Sequence, residues 1–195
     1  MTHLFTTAIS AVWPFVVTNV DDFVLLTTLF VTVGQGGPTD RQIVSGQYLG
    51  FTLLVAISLA AAAGLAAVPN RWIGLFGLVP IALGVRAILL ARKSEPETER
   101  VAVVTGAVGV AALTVTDGAD NVSVYVPLFR QSGPSATATV VVVFAVFVGV
   151  WCLAAHALAH RRSLVVLVER TGHWLVPVLY IAIGVRIIAV SGLLC

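Results

Sequence analysis

Charged side chains are scarce in this chain of 195 residues, at 10 % of the sequence, with nine Asp and Glu against eleven Lys and Arg. Soluble domains carry roughly 25 % charged residues, whereas this chain is 58 % apolar and has a mean hydropathy of +1.02. No polar segment is long enough to form a separate soluble domain. The composition therefore predicts a single all-α integral membrane domain over residues 1–195.

Further absences exclude several classes of function. The chain has no Gly-x-x-x-x-Gly-Lys-Ser/Thr loop, which argues against direct ATP hydrolysis. It has no basic stripe with interleaved aromatics, so nucleic acid is not an expected partner. Cys152 and Cys195 lie far apart and outside any Cys-x-x-Cys pair, so they predict neither a disulfide framework nor a zinc site. We expect no enzymatic activity and no cofactor, and the apolar N-terminal segment, which lacks a cleavage signal, is expected to be retained.

Long apolar runs are what the sequence does contain, and their breaks predict about six membrane spans, because a bilayer needs ~20 apolar residues per helix. The expected spans cover about residues 8–33, 43–67, 72–91, 101–129, 137–159 and 174–194. Lys and Arg accumulate in cytoplasmic loops. With the N-terminus outside, the outside loops hold only Arg71 and Arg130. The inside loops then hold Arg41, Arg92, Lys93, Arg100, Arg161, Arg162 and Arg170. Both termini are therefore expected outside.

The chain also resembles itself at an offset of about 100 residues. Asp21-Asp22 corresponds to Asp120-Asn121, and Gly84-Val85-Arg86 corresponds to Gly184-Val185-Arg186. Because three spans per repeat is an odd number, the second copy must cross the membrane in the opposite sense. Inverted repeats are typical of secondary transporters, whose binding site lies near the midplane at the repeat interface. The two predicted three-helix repeats cover about residues 8–91 and 101–194.

Two acidic motifs lie within the apolar runs at repeat-related positions, Thr18-Asn19-Val20-Asp21-Asp22 and Asp117-Gly118-Ala119-Asp120-Asn121. Charge in hydrocarbon is rare unless it faces a partner, a cation or water. Residues three or four apart share a helix face, so each motif predicts a ridge of oxygen ligands, which suits divalent cations. Gly118 favours a local helix break that frees backbone carbonyls, and Pro14 and Pro127 offer similar breaks. The candidate metal ligands are Asp21, Asp22, Asp117, Asp120, Asn121, Asn19 and Gln47.

Several of these residues have simpler interpretations. The acids could form buried ion pairs with Arg86 or Arg186, but two arginines do not balance four carboxylates. Each arginine could instead extend to the membrane interface. An interfacial role suits Gln47 and Tyr48 as well as a site role does.

Other polar and aromatic residues are expected to have structural roles. Tyr125 is expected in the apolar core more than in the site. His156 and His160 lie four apart, a spacing that can bind a metal, but interfacial histidines are commoner and no metal role is expected there. The expected interface anchors are Trp13, Trp72, Trp151 and Trp174.

Three strings carry a resemblance to a known family: Gly46-Gln47-Tyr48-Leu49-Gly50-Phe51, Gly77-Leu78-Val79-Pro80-Ile81-Ala82-Leu83-Gly84, and Gly118-Ala119-Asp120-Asn121-Val122 with the following Tyr125-Val126-Pro127-Leu128-Phe129. They resemble the cadmium-resistance transporter (CadD) family of the lysine-exporter (LysE) superfamily, and the likeness extends to Tyr180-Ile181-Ala182-Ile183-Gly184. The resemblance implies a multi-pass efflux protein of the bacterial inner membrane for cadmium, with zinc or other cations as further substrates. The residues to which it assigns roles are Asp21, Asp22, Gln47, Asp120 and Asn121. Asp117 departs from the pattern expected of the family, which is a neutral small polar residue or Cys at this position.

The leading hypothesis is secondary-active efflux of divalent cations by proton exchange. The expected partners are the cation, protons and the lipid bilayer, with a homodimer as an open alternative. A second hypothesis is an exporter of amino acids or another organic cation. An intramembrane aspartyl protease, which needs two carboxylates sharing a proton, is disfavoured because its Gly-x-Gly-Asp context is missing. A channel would show no proton coupling.

Overall fold

The computed structural model describes residues 2–69, 72, 74–90, 104–160, 177–178 and 180–191. Within these residues all regular structure is helical, as the composition predicts. The α-helices are α1 (Thr2–Thr18), α2 (Val20–Val31), α3 (Asp40–Gly64), α4 (Leu78–Leu90), α5 (Gly106–Asp117), α6 (Asn121–Gln131), α7 (Pro134–Ala159) and α8 (Tyr180–Ser191). Short 3-10 turns, Gly74–Gly77 and Gly118–Asp120, precede α4 and α6. The predicted basic loops and Arg71, Trp174 and Cys195 lie outside the described residues.

The first predicted span is two helices that meet at Asn19 with a bend of 63°. Asn19 leaves helical geometry at φ −115° and ψ 21°. Its side-chain Nδ2 donates to the Phe15 carbonyl over 2.8 Å, and the Thr18 hydroxyl donates to the Pro14 carbonyl over 2.9 Å. Side chains that bond back to their own helix in this way often bend it. The bend therefore follows from Thr18 and Asn19, whereas Pro14 lies inside a helix that continues past it.

The fourth predicted span is also broken, at the place where Gly118 predicts a break. Helix α5 ends at Asp117, and a 3-10 turn leads into α6. A Cβ atom on Gly118 would lie 2.6 Å from Leu54 Cδ1, so glycine lets α3 pack against the break. Pro127 lies inside α6 and does not end it, contrary to expectation.

These breaks change the number of helices that can span a bilayer unaided. Within the described residues, Asp40–Gly64 and Pro134–Ala159 are long and apolar enough to cross a membrane, and the bent pair of α1 and α2 adds a third. The remaining apolar helices have 10–17 residues, which is less than the ~20 that a straight span needs. The count of six spans is therefore not confirmed.

Each of the two long helices packs across a broken pair. Helix α3 packs mainly against α5 and α6, and α7 packs mainly against α1 and α2. Close approach of α3 to α5 requires glycine, because a Cβ atom on Gly46 would lie 2.5 Å from the Ala107 carbonyl oxygen. Between the pairs, the ring of Phe144 lies 5.5 Å from that of Phe15 and 4.9 Å from that of Tyr125, measured between centroids. This aromatic cluster forms the centre of the core.

Helices α4 and α8 pack together through small residues. A Cβ atom on Gly77 would lie 2.5 Å from the carbonyl oxygen of Gly184, and one on Gly184 would meet the carbonyl of Gly77. One on Gly84 would lie 2.6 Å from the carbonyl oxygen of Pro177. The backbones of these two helices therefore approach as closely as in the small-residue contacts of membrane bundles.

The two ends of α3 mark opposite ends of the bundle. At its C-terminus, Arg130 Nη2 donates to the Ala66 carbonyl over 2.7 Å, and its Nε donates to the Leu65 carbonyl over 3.2 Å. At its N-terminus, Thr39 and Gln42 form a reciprocal capping box, and Asp40 lies 3.7 Å from His156 of α7. Loops that the charge pattern predicts on the same side of the membrane therefore lie together.

Candidate functional site

The first acidic motif begins at the bend between α1 and α2, where two aromatic residues hold it. Asn19 Nδ2 donates to the Tyr125 hydroxyl oxygen over 2.8 Å, and the hydroxyls of Thr18 and Tyr125 are 2.9 Å apart. Trp151 Nε1 donates to the Asn19 carbonyl over 2.7 Å. Thr18, Asn19 and Tyr125 are all buried. The bend thus has a polar lining that is tied to α6 and α7.

A chain of hydrogen bonds joins α2, α3 and α5 across the site. Gln47 Nε2 donates to Asp22 Oδ2 over 2.5 Å, and the Thr114 hydroxyl donates to Gln47 Oε1 over 2.7 Å. All three side chains are at most 4 % exposed. Buried polar groups need such partners, because an unsatisfied one costs about 1–3 kcal/mol. The Gln47 amide therefore serves as a bridge between the first acidic motif and the helix that carries the second.

Asp21 is the point at which the two acidic motifs meet. The Tyr180 hydroxyl of α8 donates to Asp21 Oδ2 over 2.9 Å, and Tyr180 is 5 % exposed. Asp21 also lies close enough to Asp117 and Asp120 for their charges to interact, and Tyr180 interacts with Asp120 as well. Carboxyl groups from both halves of the chain therefore lie close together in a partly buried place.

Two oxygen atoms of the second motif have no hydrogen-bond partner. Asp120 Oδ1 and Asn121 Oδ1 are both inaccessible to solvent and accept no hydrogen bond. Asn121 as a whole is 2 % exposed. Because the great majority of buried polar side-chain atoms are satisfied, two neighbouring acceptors without donors mark a place where a donor or a cation would fit.

Within the described residues, the two arginines of the repeated Gly-Val-Arg string do not lie beside these oxygens. Arg86 and Arg186 are exposed, and neither forms an ion pair with an acidic side chain of the described residues. The buried ion-pair interpretation is therefore wrong for these two arginines. The exposed positions agree with the alternative in which each guanidinium reaches away from the core.

The ligand chemistry of the site is dominated by oxygen. Among the residues that the structure describes, no three His, Cys, Asp or Glu side chains converge as a metal-binding group. An ion held here would therefore also need amide or backbone oxygens, or a shift of one motif towards the other. Cys152 is 3 % exposed and lies close enough to Asp22 for an electrostatic interaction. Among the described residues, it is the cysteine whose sulfur lies beside the acidic motifs.

The structure assigns several residues differently from the sequence. Of the two roles left open for Gln47, its burial and its contact with Asp22 favour one beside the acidic motifs, whereas the exposed Tyr48 donates to the Ala145 carbonyl over 3.0 Å. Tyr125 is buried as expected but contacts the first motif directly. Trp151, expected as an interface anchor, packs its ring edge-on against Phe15 in the bundle.

Two residues of the site were not predicted at all. Thr114 lies three residues before Asp117, so helical spacing places it on the same face and could have indicated it. Tyr180 is a lone phenol in an apolar helix, and the sequence carries no signal that it contacts Asp21.

Comparison with known families decides the class of protein. A family model described as cadmium resistance transporter matches residues 15–194, which include both acidic motifs and Tyr180. The chain belongs to the cadmium resistance transporter family. Membership of this family implies that the transporter moves metal ions out of the cell, and with its apolar helices it is a membrane protein. No curated protein and no solved structure matched the transporter.

Proposed function

We propose that this transporter is a secondary-active exporter of divalent heavy-metal cations across the bacterial inner membrane, with cadmium as the principal substrate and zinc as a further one. The cation is bound by the carboxylates of the two acidic motifs and is exchanged for protons. The expected ligands are Asp21, Asp22, Asp117, Asp120, Asn121, Asn19 and Gln47.

The observation that carries this proposal is the pair of unsatisfied oxygens, Asp120 Oδ1 and Asn121 Oδ1, beside Asp21. Carboxylate and amide oxygens without donors suit a divalent cation, which must replace its lost hydration shell with protein oxygens. Neither Arg86 nor Arg186 forms an ion pair with Asp21 or Asp120 within the described residues. A cation supplies the missing charge in one state of the transport cycle.

Proton exchange follows from the same charge balance. When the cation leaves, several carboxylates remain together in a partly buried place, and like charges in one site favour protonation of one of them. A carboxyl that takes up a proton on cation release returns to the starting state without buried net charge. This coupling would use the proton gradient and would need no nucleotide.

Inverted repeats account for the way the two halves pack. Position 77 corresponds to 177 and position 84 to 184 at the offset of 100, and the close contacts join Gly77 to Gly184 and Gly84 to Pro177. Such reciprocal contacts are what a two-fold axis between α4 and α8 would produce. The crossed packing of α3 and α7 on the opposite broken pairs supports the same axis. We infer six membrane crossings, two of them broken, with the site at the repeat interface.

The orientation proposed from loop charges places both termini outside. The contact of Arg130 with the C-terminus of α3 joins two loops assigned to the outside, and the contact of Asp40 with His156 joins two segments assigned to the inside. These pairings support alternating membrane crossings.

Growth on cadmium with the substitution Asp120→Asn tests the proposal. The variant keeps the size of the side chain but removes one charge, so we expect normal folded yield and loss of cadmium tolerance. Thr116→Val is the matched control, since this exposed hydroxyl bonds only to carbonyls of its own helix. Normal cadmium tolerance in a folded Asp120→Asn protein would remove this carboxylate from the transport site.

A further inference from the structure

A second group of metal-binding side chains lies at one end of the bundle, away from the acidic motifs. The end of α2, the start of α3 and the end of α7 enclose a cavity of about 280 Å³. Its walls include Phe30 and the polar residues Gln35, Asp40, His156 and His160. The side chains of His156 and Asp40 are 46 % and 54 % exposed, so an ion from solution can reach them.

The spacing of these side chains is close to that of a metal site. His156 Nε2 and Asp40 Oδ1 are 3.7 Å apart. A tetrahedral ion about 2.0–2.1 Å from a nitrogen and an oxygen ligand holds the two ligands roughly 3.3 Å apart. The rings of His156 and His160 are 4.9 Å apart between centroids. All three side chains lie on the wall of the same cavity, and those of His156 and Asp40 are exposed enough to rotate towards a shared ion.

Neighbouring groups already orient both imidazoles. His160 Nδ1 lies 2.9 Å from the carbonyl oxygen of His156, so it carries the proton of that hydrogen bond and Nε2 keeps its lone pair. Metal-binding histidines commonly fix their second nitrogen on a backbone carbonyl in this way. Phe30 packs edge-on against the His156 ring at 5.2 Å between centroids.

The position of Asp40 is fixed by the start of α3. Thr39 is the N-cap of the helix, and its backbone N–H donates to Gln42 Oε1 over 2.9 Å. Asp40 is the first residue after the N-cap and lies within this capping box, so the backbone that carries its carboxylate is held. The sequence interpretation of His156 and His160 lacked this third ligand, which lies more than 100 positions away along the chain.

We propose that His156, His160 and Asp40 bind a borderline-soft divalent ion of the zinc and cadmium type, with water completing its coordination. Two imidazoles and one carboxylate are a ligand set that Zn²⁺ accepts in open sites, and imidazole favours transition metals over Mg²⁺ or Ca²⁺. The three side chains do not yet converge as ligands in this structure, so binding draws them together. The site differs in chemistry from the oxygen-rich acidic motifs, and its ability to bind metal does not depend on the proposed transport mechanism.

Metal binding by the purified full-length chain tests this proposal. The starting protein is Asp21→Asn/Asp120→Asn, in which amides replace two carboxylates and metal binding by the acidic motifs is weakened. Zn²⁺ is titrated by calorimetry, and Co²⁺ is added to a second sample for its absorption spectrum. We expect one equivalent of bound Zn²⁺ and the visible bands of four-coordinate Co²⁺. His156→Gln and His160→Gln should each lower the affinity by about tenfold or more, while His3→Gln, the same change in the first turn of α1, should have no effect.

Two results would overturn the site. One is the absence of Zn²⁺ binding below millimolar concentration, which would leave His156 and Asp40 as a plain side-chain contact. The other is binding that neither histidine substitution weakens. If the doubly substituted protein does not fold, the same histidine substitutions are made in the unmodified chain, which should lose one equivalent of metal. Failure of this site leaves the growth phenotype of Asp120→Asn unchanged, so the two proposals are tested separately.

Discussion

Replacing the Gln47 amide by an apolar group of similar size, as in Gln47→Leu, should destabilise the transporter measurably. The substitution removes the donor to Asp22 and the acceptor for Thr114. A hydrogen bond to a charged group contributes about 1.5–3 kcal/mol, and a neutral side-chain bond between membrane helices contributes about 0.6 kcal/mol. Because both bonds are buried, we expect the free energy of unfolding to fall by about 2–4 kcal/mol.

Reversible unfolding of purified protein in mixed micelles measures this change. A double-mutant cycle with Thr114→Val isolates the weaker bond and should give a coupling energy of about 0.6 kcal/mol. The adjacent Tyr48→Phe is the control, since its hydroxyl makes one bond to the Ala145 carbonyl at the exposed surface. It should cost at most about 1 kcal/mol.

The reasoning would be refuted if Gln47→Leu cost no more than Tyr48→Phe. Such a result would mean that the buried amide of Gln47 makes no net contribution to the free energy of unfolding, and that other groups hold Asp22. A coupling energy near zero with a large loss for Gln47→Leu alone would instead place the whole effect on the bond to Asp22.

Two further predictions concern helix α8. Tyr180→Phe removes the hydroxyl that donates to Asp21 over 2.9 Å, so it should lower the free energy of unfolding by about 1.5–3 kcal/mol in the unmodified chain. The loss should be clearly smaller in a chain that already carries Asp21→Ala. Equal losses in both backgrounds would contradict the contact. Gly184→Leu places a side chain against the carbonyl of Gly77, so the yield of monodisperse protein in size-exclusion chromatography should fall sharply, while Val185→Leu, at an exposed position, should leave it unchanged. Normal yield for Gly184→Leu would show that α4 and α8 do not pack this closely.

The features that could be predicted from sequence are those set by local chemistry. Gly118 within an acidic motif predicts the helix break before α6, and this break is present. The turn after α2 follows from its glycines, of which Gly34 and Gly36 have positive φ. The helix expected from about residue 137 begins three residues earlier, with Pro134 in its first turn, where proline is well tolerated. In each case a backbone preference acts within a few residues.

The features that could not be predicted depend on which helices pack together. Asn19 bends the first span because its side chain bonds to its own helix, while its carbonyl is held by Trp151 from α7. From sequence alone, a tryptophan in an apolar segment suits a membrane interface as well as a contact inside the bundle. Which of the two it makes depends on how the helices pack. Tyr180 and Asp40 likewise find their partners across more than 100 residues of sequence. Helical periodicity predicts which face of its own helix a residue occupies, but not which other helix packs against that face.

The central claim is that the acidic motifs exchange a divalent cation for protons. Its most direct test is cadmium flux in proteoliposomes, recorded together with the internal pH. The account predicts that a cadmium gradient alone drives protons in the opposite direction, and that Asp120→Asn abolishes both movements. Cadmium flux without any accompanying proton movement would contradict the claim, as would unchanged coupled flux in Asp120→Asn.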